Sequence, residues 1–212
     1  MGSAMKAYRT VAPDGMGESS YEDRKSQFFG FAVHAESAEE AIEFRHSVIE
    51  LIPSASHYVS AWVFADGNEF YSDAKEPHGS AGVPVLNAIK GADVLDTACV
   101  VARVFGGTLL GKGGLMRAYA KAATDALSDT RIVRRVPCQL VDAVVPYSLY
   151  EPLSKRVTGW GAQVDGADFA ESVTLHLSVP VELFQTLEES IREFSNARAT
   201  CTLGAQELRY FS

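Results

Sequence analysis

The densest grouping of residues able to do chemistry is Arg103–Tyr119, RVFGGTLLGKGGLMRAY. Five glycines fall between Gly106 and Gly114: Gly106, Gly107, Gly111, Gly113 and Gly114. Glycine lets backbone amides approach a ligand closely and adopt positive φ. The run leads into an Ala- and Leu-rich stretch, Gly113–Leu127, that reads as a helix. Free N–H groups and the dipole at a helix start favour an anion. Arg103, Lys112 and Arg117 add positive charge, which makes the segment a candidate cradle for phosphate, carboxylate or a nucleic-acid backbone. The structural alternative is that the glycines only turn the chain between a strand and its helix, while Arg117 pairs with an acid across the domain. Gly106, Gly111 and Lys112 fit the G-x-x-x-x-G-K of a nucleotide loop. Gly113 stands where a hydroxyl would hold magnesium, so ATP or GTP hydrolysis is not expected.

A second segment is Tyr71–Pro84, YSDAKEPHGSAGVP. Asp73 and Glu76 suit acid–base work or metal binding, with His78 nearby. Only two carboxylates lie here and no histidine pair has ligand spacing, so neither a metal nor a cofactor is expected. The alternative is a polar turn whose acids accept backbone hydrogen bonds, with Ser80 capping the next helix. His57 opens an apolar strand and reads as a hydrogen-bonded structural group. Trp62 and Tyr71 read as core or rim. No G-x-S-x-G is present, and Ser56 beside His57 carries no protease reading.

These residues need elements to position them. Ser26–His34 is aromatic and β-branched and reads as a strand. Ser37 and Glu40 form a capping-box pattern before a helix that Pro53 ends. His57–Ala65 and Asn68–Ser72 flank Asp66-Gly67, a hairpin turn signal. Val83–Ile89 reads as a short helix. Ala98–Phe105 reads as a buried strand despite Arg103. Around Arg134–Pro137 the pattern changes, and Pro137 after the basic cluster Arg131, Arg134 and Arg135 marks a domain boundary. The remainder reads as strand 138–147, helix 151–158, strand 161–165, strand 171–179, helix 181–194 and strand 199–203. That βαββαβ order suits a ferredoxin-like unit.

Composition narrows the classes. The 212 residues carry a net charge of −8, which disfavours a general nucleic-acid coat. Residues 100–135 run the other way, with 7 basic and 2 acidic residues, and so point to one localised anion-facing surface or to a helix face paired with neighbouring acids. Cys99, Cys138 and Cys201 are odd in number and form no CxxC pair, so reduced thiols in a cytoplasmic protein are expected. No apolar run reaches the ~18 residues of a membrane span, and no secretory signal is visible. Residues 1–4 ahead of Met5 read as a remnant before a native start.

The sequence RVFGGTLLGKGGLMRAY closely resembles the signature of the IMPACT N-terminal domain. In that signature an arginine and Phe-Gly-Gly precede Leu-Gly-x-Gly-Gly-Leu and Arg-Ala-Tyr. Arg103, Phe105, Leu110, Leu115, Arg117, Ala118 and Tyr119 match it, as do all five glycines. Upstream, Ala55, His57 and Ala61 resemble the family's Ala-x-His strand. Ser72, Asp73, Glu76, Pro77, Gly79, Ala81, Gly82 and Pro84 resemble its Ser-Asp-Asp-Gly-Glu-Pro-x-Gly-Thr-Ala-Gly segment. This chain departs at Ala74-Lys75, where the family has Asp-Gly, at Ser80 for Thr, and at Val104 for an aromatic.

The resemblance spans Ser26–Leu127, with a looser fit beyond. It implies an α+β chain of two domains, residues 1–134 and 137–212. The first would be similar to the second domain of a small-subunit ribosomal protein, a fold shared with elongation factor G and GHMP kinases. The second would be ferredoxin-like, similar to the final domain of elongation factor G. Eukaryotic relatives bind the Gcn1 protein, restrain the Gcn2 kinase and carry an added N-terminal RWD domain. The 25 or so residues before the first expected strand leave no room for that domain, so a Gcn1-type partner is not expected. The expected function is a translation-linked binding protein that recognises RNA phosphate or a ribosome-associated partner. The alternatives are a small-molecule or nucleotide-processing enzyme using Asp73, Glu76 and the glycine loop, and a protein–protein regulator without anion binding.

Overall fold

The computed structural model describes residues 5–211; the stretch 1–4 lies outside them. The chain divides into two compact units, Tyr8–Arg134 and Arg135–Phe211.

The first unit is built on a five-stranded sheet in the order β2-β3-β6-β4-β5. Its strands are β2 (Met16–Asp23), β3 (Ser26–His34), β6 (Thr97–Val104), β4 (His57–Val63) and β5 (Glu69–Ser72). All the pairings are antiparallel. Alternation along β6 sends Cys99 and Val101 to one face and Val100 and Ala102 to the other. On the first face lie α2 (Gly82–Gly91) and α3 (Gly111–Ser128), which bury Val85, Ile89, Leu115 and Tyr119 against Phe28 and Val59. On the second lies α1 (Ala38–Leu51), whose Val48 packs with Phe31 and Val100. The Ser37 hydroxyl accepts the Glu40 N–H at 3.2 Å, and the Glu40 carboxylate accepts the Glu36 N–H at 2.7 Å. The Asp66-Gly67 turn closes the β4–β5 hairpin, with Gly67 at φ +91°.

Two strands precede the first one expected from the sequence, β1 (Tyr8–Val11) and β2. β2 is an edge strand with the sequence MGESSYED, and it buries only Gly17 fully. Its polar side chains hide a period-2 pattern that burial on one face would otherwise reveal. α3 also starts at Gly111, two residues earlier than its composition suggests.

The second unit runs β7 (Ile132–Val145), α4 (Tyr147–Val157), β8 (Gln163–Phe169), β9 (Val173–Pro180), α5 (Phe184–Phe194) and β10 (Thr200–Phe211). Short 3-10 turns, Thr158–Trp160 and Val181–Leu183, precede β8 and α5. β10 pairs β7, β7 pairs β9 and β9 pairs β8, so the order is β10-β7-β9-β8. This is the split βαβ arrangement of the ferredoxin-like fold. Leu153, Val157, Leu187 and Ile191 of the helices close over Val141, Leu175 and Leu177.

β7 runs unbroken through residues 134–137, where the sequence places the domain boundary. Pro137 is accommodated because the β7–β9 register begins one residue later, at Cys138 opposite Pro180. Among the described residues no helix is long and apolar enough to cross a membrane. Cys99 and Cys138 are buried, and burial pushes the Cys99 thiol up to about 12.

Candidate functional site

The site grows from the C-terminal end of β6. Register places Arg103 opposite Phe28 on β3 and opposite His57 on β4. Directly opposed residues share a face, so Arg103 points toward α3 and the loop after β5. It is 4% exposed in a strand that is otherwise apolar. A guanidinium there must be paired. Its Nη1 donates to Glu76 Oε1 at 2.7 Å, and its Nη2 donates to Ser26 Oγ at 3.3 Å. Phe28 and Phe105 each hold a ring centroid 5.4 Å from the guanidinium carbon.

Glu76 Oε1 takes one further donor. Tyr119 OH donates to it at 2.8 Å, and His57 Nε2 lies 3.8 Å away, beyond hydrogen-bond range. Burial, with the Glu76 carboxylate beside it, pushes the Tyr119 hydroxyl far up, so it stays a donor. His57 Nδ1 sits 2.9 Å from the Ala74 carbonyl. A carbonyl only accepts, so the proton is on Nδ1.

Asp73 serves the backbone. Oδ2 accepts the Gly79 N–H at 2.8 Å, and Oδ1 accepts those of Ala81 at 3.1 Å and Gly82 at 2.8 Å. Burial alone would raise its pKa; the three amide bonds outweigh that and hold the carboxyl below the usual range. The cap expected from Ser80 is absent, because its hydroxyl donates to the Pro77 carbonyl. Asp73 supplies the anion at the start of α2 instead. His78 is 94% exposed at its side chain, 3.8 Å from Asp73.

The glycine loop is shaped by sterics. A Cβ on Gly106 would lie 2.0 Å from the Lys25 carbonyl carbon, and its N–H donates to Ser26 Oγ at 3.2 Å. Gly107 at φ +83° and Gly111 at φ +69° need the left-handed region. Gly114 meets Leu110, whereas Gly113 is open apart from Arg117 Nη1 3.6 Å away. No side chain caps α3, which leaves its first amides without side-chain acceptors.

This loop and its buried Arg–Glu–Tyr group lie inside a stretch, residues 24–127, that matches the family model described as the Impact N-terminal domain. Residues 144–198 match a domain of unknown function, DUF1949. A relative from Thermus thermophilus, "IMPACT family member in pol 5'region", is 39% identical over 64% of this chain and 72% of its own length. The chain belongs to the IMPACT family. It is also similar to IMPACT family member YigZ of Escherichia coli (strain K12), with 29% identity over 82% of this chain and 87% of the relative. A solved structure described as that of a hypothetical protein superposes at TM-score 0.61 with 26% identity, covering 96% of this chain and all of the other.

Within this IMPACT domain the three expected anion-binding cations do not all converge. Arg103 is buried against Glu76. Lys112 lines a cavity of about 480 Å³ together with Arg103, His57, Glu76, Phe105 and Gly111. Arg117 faces a separate groove with Val83, Pro84 and Met116. Helical geometry explains the split, because residues five apart on α3 point in different directions. Lys112 and Arg117 are both exposed, and neither forms an ion pair among the described residues. The alternative of a buried, paired Arg117 is therefore not what the structure holds. Asp73 does not line the cavity with Glu76, so the two acids form no dyad. Among the described residues no cluster of His, Cys, Asp and Glu is arranged to hold a metal ion.

Sequence reasoning missed Ser26, which ties the loop to Arg103, and the cavity walls Phe105, Leu109 and Leu110. Two adjacent leucines inside a glycine loop were the available signal, since such loops are usually polar.

Proposed function

We propose that this chain is a non-catalytic, translation-linked binding protein that recognises RNA phosphate or a ribosome-associated partner at the start of α3. The translation setting is what the family resemblance implies. One contrast carries the binding reading. Arg103 is paired and buried, while Lys112 and Arg117 stand exposed and unpaired on the first two turns of an uncapped helix. Cations there oppose the positive end of the helix dipole, and an anion at the first amides beside Lys112 relieves that conflict. Catalysis by the acids has little support. Both Asp73 oxygens hold backbone amides, and Glu76 Oε1 already takes Arg103 and Tyr119.

Amide NMR of the full chain tests this reading. Inorganic phosphate, and then a single-stranded RNA of roughly ten nucleotides, should shift the Gly111, Lys112, Gly113 and Gly114 signals first. Shifts confined to other segments, with these four unmoved, would reject the site.

A further inference from the structure

Beside the proposed anion site lies the 480 Å³ cavity, a volume in the range of small-ligand pockets. Its buried lining is incompletely satisfied. Glu76 Oε1 takes every hydrogen bond that the carboxylate makes, and Oε2 takes none. Arg103 Nε is buried without a partner. Both side chains are at least nine-tenths buried and line the cavity, at 4% and 5% exposure. One unengaged acceptor, Glu76 Oε2, therefore stands on a lining residue, whereas Arg103 Nε is sealed beneath the surface. The walls are apolar, and two of them are open: Phe105 is 45% exposed and Leu109 is 80% exposed. Lys75 and Lys112 line the same space, exposed and without ion partners among the described residues.

Resting on the anion-binding reading above, we infer that this cavity takes the base of a nucleotide whose phosphate lies at Lys112 and the first amides of α3. A bare phosphate would leave the acceptor and the apolar walls unengaged. A fatty acid would set hydrocarbon against a carboxylate. A nucleobase meets both demands. Its face stacks on Phe105, and an edge N–H reaches Glu76 Oε2. Every natural base carries such a donor, so the cavity is tolerant of sequence. The nucleotide comes either free or as one residue of single-stranded RNA; the recognising chemistry is the same.

The test is calorimetric titration of the full chain at low salt. The probes are AMP, GMP, CMP and UMP, ribose 5-phosphate, and an RNA of about ten residues with and without abasic sites. At least one mononucleotide should bind about tenfold more tightly than ribose 5-phosphate, the increment that one base–aromatic stack supplies. Phe105→Ala should remove that increment and leave ribose 5-phosphate binding unchanged, with an unaltered melt. Lys112→Ala should weaken both ligands. RNA that binds much more tightly than any mononucleotide, and loosens when made abasic, assigns the RNA source; equal affinities assign the free nucleotide. Mononucleotides binding no better than ribose 5-phosphate, with abasic RNA bound as well as intact RNA, would overturn the base site and leave the anion site standing. No binding by any probe would remove both.

Discussion

Glu76 and Arg103 show how a single charged pair decides what this surface is free to do. With both side chains buried, removing one partner leaves an uncompensated charge in an apolar setting. Arg103→Ala or Glu76→Ala should therefore cost about 3–5 kcal/mol. Arg117→Ala, on an exposed face, should change stability by no more than about 0.5 kcal/mol. Chemical denaturation of the three variants reads this directly, and a large loss with Arg117→Ala alone would reverse the assignment of roles. The sequence made Arg103 conspicuous, since an arginine in TACVVARV demands a partner. It could not name that partner. Glu76 lies 27 residues away, and Asp73 nearby looked equally available. Only the fold shows that one acid holds a loop and the other holds the arginine.

At the level of elements, the segment where this chain leaves the family pattern is strained. Glu76 N–H donates to Asp73 O at 2.9 Å across a turn whose central residues, Ala74 and Lys75, have φ +47° and +70°. Positive φ at both centres is the type I′ turn that favours Asn-Gly or Asp-Gly. The family's Asp-Gly fits that geometry, and Ala-Lys pays a penalty there. Lys75→Gly should raise stability by about 1 kcal/mol, measured as a shift in the denaturation midpoint; an unchanged or lowered midpoint would contradict the turn geometry. Elements with strong periodicity were legible beforehand, among them the capped α1, the Asp66-Gly67 hairpin and the apolar β6. β1 and β2 were not, because a short or polar edge strand lacks the alternation that marks a strand. Pro137 suggested a break that the structure avoids by starting the β9 pairing one residue later. The candidate site was half legible. Its glycines and cations stand out in the sequence, whereas their division between a cavity, with Arg103 paired in its wall, and a separate groove depends on which way each side chain points.

For the whole molecule, the net charge of −8 makes a general affinity for nucleic acid unfavourable, and any anion binding must be local. The central claim is that Lys112 and Arg117 neutralise phosphates at the start of α3. Its most direct test is the salt dependence of single-stranded RNA binding by the full chain. On a single strand each phosphate neutralised contributes roughly 0.7 to the slope of log affinity against log salt. The Lys112→Ala/Arg117→Ala variant, melting as the wild type does, should bind more weakly with a slope shallower by roughly 1.4. Wild type and double variant sharing one affinity and one slope would contradict the account.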